Sequence, residues 1–289
     1  MEVLQLPFFQ RALLAGLLAS VACGVVGTYV VVNEVSAISG GLAHAAFGGL
    51  GLGYFLGFDP MLGAAGFGVA SGLGIGVAYR RLHQGLDTLV MMVWSVGMAT
   101  GIVLVAAVPG YAPDLTSYLF GNILFASPAY LWMGAALDLV LLVAVVAFFR
   151  EFQGVAFDEE FAEVVGVPVD AVVLGLLALT SLVVVLLIRV VGVLLVVALL
   201  TIPAAVARQW ARSLGRTMVV ATALCALFVT AGLFLSWGLS SGYGLDLPSG
   251  PLVVLVAAAG FAISSWGRSL RRGRNRGAAA RVEGREAGP

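Results

Sequence analysis

The chain has 289 residues, of which 61% are hydrophobic and 10% charged, with a formal net charge of zero and a mean hydropathy of +1.07. Soluble domains carry about 25% charged residues, so this composition cannot cover a water-facing surface; it also excludes disordered, collagen-like and disulfide-scaffold proteins. It predicts an all-α integral membrane protein, a polytopic helical bundle of eight or nine transmembrane helices.

A spanning helix needs about 20 mostly apolar residues. In chain order the candidates are Phe8–Val32, Ala37–Gly57, Met61–Tyr79, Thr88–Val108, Ala129–Phe149, Ala171–Ile188, Val190–Ala207, Thr217–Leu239 and Pro251–Trp266. The sixth and seventh form one apolar stretch broken only by Arg189 and Gly192, which leaves eight or nine spans open. Residues 1–266 thus read as one transmembrane domain. Residues 267–289 read as an Arg-rich tail, disordered and near lipid or solvent. Leu17–Cys23 (LLASVAC) loosely resembles a lipoprotein cleavage box, but Met1-Glu2 and the lone Arg11 before it favour a retained first helix.

All fifteen positive charges are arginine. A P-loop requires a lysine that reaches the phosphates, so ATP-driven work is expected in a partner chain. There is no HExxH, and Val69 stands where a serine nucleophile motif around Ser71 wants glycine. The chain reads as a transport subunit without catalytic residues, not an enzyme. Its zero net charge predicts no nucleic-acid binding. Cys23 and Cys225 lie in apolar runs and read as inert buried thiols.

Loops after odd-numbered spans, with the tail, carry thirteen of the fifteen arginines, among them Arg80, Arg81, Arg150, Arg208, Arg212 and Arg216. The positive-inside rule then places those loops and the C-terminus in the cytoplasm and the N-terminus outside. His83, Glu34, Asp59, Asp114 and Asp246 read as loop or span-end residues. Trp132, Trp210 and Trp266 read as interfacial anchors. One loop is long and acidic, Arg150–Asp170. Asp158, Glu159 and Glu160 suit a helix N-terminus, and Gly166 with Pro168 suits its end, so a short amphipathic cytoplasmic helix is expected.

In the second span Gly41, Ala45, Gly49, Gly53 and Gly57 recur every four residues; the third repeats the pattern with Gly68, Gly72 and Gly76. Small residues so spaced line a helix face and allow close packing. His44 lies beside this stripe, between Gly40 and Gly48. An ionisable group within a span is a candidate functional residue, and a neutral imidazole suits zinc, manganese or iron. The alternative is a histidine hydrogen-bonded to a neighbouring helix. Asp138 is the other charge candidate at membrane depth, or interfacial if the fifth span begins nearer Ala135.

Five blocks in order, Ile38–Gly49 (ISGGLAHAAFGG), Asp87–Gly101 (DTLVMMVWSVGMATG), Ser117–Leu124 (SYLFGNIL), Phe157–Gly166 (FDEEFAEVVG) and Val191–Ala207 (VGVLLVVALLTIPAAVA), resemble the permease subunits of ABC importers for zinc, manganese and iron. The resemblance runs from the first span to about Trp266. It implies a homodimer in the prokaryotic cell membrane, with an ATPase on each cytoplasmic face, an extracytoplasmic metal-binding protein, and no permanent cofactor. It also implies a coupling helix that includes Phe157, Asp158, Glu159, Glu160, Ala162 and Gly166, with Glu160-Phe161-Ala162 and Gly166 similar to the EAA-x3-G pattern of importer loops. His44, with Asp138 as a possible second ligand, would meet the transported divalent metal. Many members carry an aspartate four residues before the histidine; here that position is Gly40. A metal chelate or cobalamin-like substrate and a gradient-driven secondary transporter are the alternatives.

Overall fold

A computed structural model of the chain describes residues 2–82, 84–109, 121, 123, 127–245 and 247–286. His83, Asp114, Asp246 and most of Ser117–Leu124 lie outside the described residues. Each of the nine expected spans is a helix: α1 (Pro7–Val32), α2 (Ala37–Leu56), α3 (Pro60–Leu82), α4 (Leu86–Ala106), α5 (Pro128–Ala147), α8 (Val169–Val191), α9 (Val193–Trp210), α10 (Leu214–Tyr243) and α11 (Ser249–Glu286). Two short helices, α6 (Phe149–Phe157) and α7 (Glu159–Val164), fill the acidic loop. Prolines open α1 and α5, where no intrahelical amide is needed. The backbone of α11 continues helically past Trp266 through the arginine-rich segment that composition reads as disordered.

The eight-or-nine question turns on Gly192. It holds φ +84°, a conformation that glycine adopts without strain, and it separates α8 from α9. The backbone of Gly121 presses directly against this junction. Among the described residues, eight helices are long and apolar enough to cross a membrane. The ninth, α2, falls short on composition and is instead enclosed by protein.

Two groups of helices make up the bundle. One is α2 packed between α3 and α4, with α8 against α3. The other is α1 surrounded by α5, α9 and α10, with α11 covering α9 and α10. Bare backbone sets the spacing within both. Gly27 of α1 meets the Leu200 carbonyl, Gly24 meets Thr222, and Gly232 meets Val253. Apolar side chains such as Val140, Val143 and Val146 of α5 point outward, as a lipid-facing surface requires.

Ion pairs reveal which helix ends share a side. Arg208, ending α9, donates to the Val31 carbonyl (2.9 Å) and stands 3.5 Å from Glu34, at the end of α1. Arg80, ending α3, pairs with Glu159 and Asp170 at the starts of α7 and α8. Arg189 lies at the opposite end of α8, its guanidinium 5.3 Å from the Tyr130 ring centre near the start of α5. Arg80 and Arg189 thus sit at opposite ends of α8.

Candidate functional site

His44 sits midway along α2, with Gly40 and Gly48 one turn to either side. Its ring stacks on Trp94 of α4, centres 4.4 Å apart and planes 7° from parallel, with Phe47 beyond at 6.2 Å. Nδ1 is buried and has no hydrogen-bond partner among the described residues. The alternative reading, an imidazole satisfied by a neighbouring helix, therefore has no partner to name for this nitrogen. A buried, unpaired imidazole nitrogen stacked on an aromatic face can offer a lone pair to a cation in the tautomer that protonates Nε2. Trp94 had no signal of its own in the sequence beyond its place in the Asp87–Gly101 block; only the packing of α2 on α4 pairs it with the histidine.

The small-residue stripe explains how α4 comes so close. A Cβ on Gly41 would stand 2.3 Å from Val90, and the Gly97 backbone lies against Ala45. Farther along, the neighbour changes: Gly49 meets the Gly63 carbonyl and Gly53 meets Pro60, both on α3. A four-residue repeat drifts by about 40° per step on a helix of 3.6 residues per turn, so one stripe serves two partners. On α3, Gly68, Gly72 and Gly76 face Val185, Ser181 and Leu174 of α8. Gly57 instead ends α2 in the left-handed conformation, with nothing near its Cβ position.

Because α5 starts at Pro128, Asp138 lies midway along it and is 7% exposed; it is not interfacial. Its Oδ2 is likewise buried without a partner among the described residues. Yet α5 packs on α1 and α8, whereas α2 packs chiefly on α3 and α4. Among the described residues no group of three or more His, Cys, Asp or Glu side chains could hold a metal. His44 and Asp138 each carry a buried polar atom without a partner among the described residues, on helices that pack on different neighbours.

In the acidic loop, Asp158 breaks the helix and caps α7, its carboxylate accepting from the Phe161 amide (2.9 Å). Gly166 at φ +94° ends the turn, and the Val167 amide closes back on the Ala162 carbonyl (2.9 Å). The short helix has two unlike faces. Ala162 is buried against the bundle and Glu159 turns inward to Arg80. Phe157, Phe161, Val164 and Val165 are all exposed, Val164 by 86%, with Glu160 beside them. Phe161, Val164 and Val165 form most of this apolar patch. Alternating acidic and apolar residues hide that division in the sequence.

The ABC 3 transport family matches residues 5–268 of the chain. The chain belongs to the ABC 3 transport family. It is 41% identical over 263 residues to an uncharacterized membrane protein of Synechocystis sp., covering 91% of this chain and 92% of that one. It is 32% identical over 262 residues to the manganese transport system membrane protein MntC of Listeria monocytogenes, covering 91% of each. Among solved structures, PsaBC from Streptococcus pneumoniae in complex with Fab superposes with a TM-score of 0.78 at 30% identity, covering 91% of this chain and 93% of that one. As an ABC 3 family member, the chain is a multi-pass membrane protein whose helical bundle, His44 helix and acidic loop all fall within the matched residues.

Proposed function

We propose that this chain is the permease subunit of an ABC importer that carries divalent metal ions into a prokaryotic cell by alternating access, with manganese the first ion to test. The strongest support is the likeness to a manganese permease over nine-tenths of both chains. In this reading two copies pair in the inner membrane, N-termini outside and C-termini in the cytoplasm. A binding protein delivers the ion from outside, and an ATPase docks on the Phe157–Val165 face of each copy. Zinc and iron suit the same nitrogen donor. Nδ1 of His44 receives the ion once it has shed part of its water shell. Asp138 offers a second donor on a different helix.

The mechanism needs helices that shift against one another without losing contact. Glycine seams on both sides of α2 let backbones meet directly, so a small rotation breaks few side-chain interlocks. ATP binding closes the two ATPases, the coupling segment follows, and α2 with His44 turns from one side of the membrane to the other.

The test is cellular metal content by mass spectrometry. Cells without native uptake, grown in chelated medium, express this permease with its ATPase and binding protein. Recovery of manganese that is lost in His44→Ala supports the reading. Recovery without the ATPase would favour a gradient-driven transporter, and no recovery of any ion would favour a metal chelate or cobalamin-like substrate.

A further inference from the structure

One guanidinium ties together three elements that are distant in sequence. Arg80, in the last turn of α3, donates from Nη1 to Glu159 at the first residue of α7 (3.2 Å) and from Nε to Asp170 in the first turn of α8. Both carboxylates lie at helix N-termini and the arginine at a helix C-terminus, so each charge is also favoured by its own helix dipole. Exposed single ion pairs contribute little. Here, however, the Arg80 side chain is only 27% exposed and binds two partners at once, and a planar guanidinium can hold two carboxylates in fixed directions.

Behind this clamp the core is incompletely filled. Beside the contact of Phe152 with Tyr29 (ring centres 5.6 Å apart) lies a cavity of about 160 Å³, lined by Val155 and Glu159 of the segment and by Tyr29, Asn33, Tyr79 and Thr180 of the bundle. The hydroxyl of Tyr29, which lines it, has no hydrogen-bond partner among the described residues. The acidic segment is thus anchored by Phe152, Val155 and Ala162, while its charged end, held by Arg80, borders the cavity. From Arg80, α3 runs back along its glycine seams with α8 and α2 to the helix that carries His44.

We propose that Arg80 is the positioning residue that makes the α6–α7 segment move with α3 and α8, the cavity providing the space for that movement. The proposal rests on the importer reading above. A push on the exposed face of α7 compresses the cavity; Arg80 converts it into a displacement of α3, and without Arg80 the segment sinks into the gap alone.

The experiment uses the complete complex, with ATPase and binding protein, in liposomes, and reads manganese ions moved per ATP hydrolysed. In Arg80→Met the ATPase stays bound and active while this ratio falls by about fivefold, which is about 1 kcal/mol, the upper end for ion pairs at the surface. Arg80→Lys, which keeps the charge but not the fork, shows a smaller loss, and Asp170→Asn, which removes one arm, also lowers the ratio. A wild-type ratio in Arg80→Met overturns the proposal. If Arg80→Met fails to assemble, Asp170→Asn decides, and a wild-type ratio there overturns it equally. Should the unmodified complex move no manganese with ATP, the importer reading itself fails.

Discussion

Cys225 of α10 supplies the hydrogen bond that Pro203 removes from α9. The proline has no amide to offer the Leu199 carbonyl four residues earlier, and the buried thiol of Cys225 lies 3.4 Å from that oxygen. An orphaned carbonyl away from water is costly, and a proline within a helix leaves one by construction. The thiol is structural, as its apolar setting suggests, but its task is a specific one. Cys225→Ser keeps a donor of similar size, while Cys225→Ala leaves the carbonyl bare at a cost of about 1 kcal/mol. Thermal unfolding of the purified protein in detergent should therefore rank native and serine forms together and alanine below them. Equal midpoints for all three would show that the thiol is a bystander.

Gly40 and Gly49 lie on the same helix and tolerate different things. A Cβ on Gly49 would stand 2.1 Å from the Gly63 carbonyl oxygen, which cannot retreat without moving α3, whereas one on Gly40 meets only the Trp94 ring at 3.9 Å. Gly49→Ala is expected to destabilise by roughly 1–3 kcal/mol, the range for overpacking. Gly40→Ala should be neutral or better, because alanine favours a helix by about 1 kcal/mol over glycine. Comparing the two midpoints tests the close approach of α2 and α3.

The room at Gly40 also permits a gain of function. Gly40→Asp places a carboxylate one turn before His44, a spacing that brings both side chains to one face, and the Cβ fits without displacing backbone. Manganese binding to the purified permease, followed by calorimetry, should tighten by at least about tenfold, since a charged oxygen donor joins a neutral nitrogen. No change would mean that Nδ1 of His44 does not face the ion.

The exposed face of α7 gives a sharper distinction between docking and folding. Phe161 and Val164 are 65% and 86% exposed, so replacing either with aspartate should leave the unfolding midpoint within about 0.5 kcal/mol of native. Co-purification with the ATPase should nevertheless be lost, because a charge would then be buried in an apolar contact. Retained co-purification would move the docking surface elsewhere.

The helices were largely legible because run length and composition are one-dimensional: a long apolar stretch between arginines marks a span wherever it ends up. The cap at Asp158 and the stop at Gly166 were legible for the same reason, since both act within a few residues. What sequence could not show depends on partners. Nothing in FDEEFAEVV says that Glu159 faces Arg80 while Glu160 faces outward. Asp138 reads as interfacial if the fifth span begins nearer Ala135, and only the helix start at Pro128 puts it midway along α5. Trp94 becomes a neighbour of His44 only because glycines on two helices allow them to meet.

The enclosure of α2 bears on how the protein is made. The hydropathy of α2 over a membrane-length window is lower than that of its eight companions, so it gains less than they do from entering lipid by itself. Joined by short turns to α1 and α3 and buried between α3 and α4, α2 gains more from packing against its neighbours than from facing lipid. Substitutions along its glycines would then first appear as newly synthesised chains cleared by membrane proteases, before any finished transporter existed to be impaired.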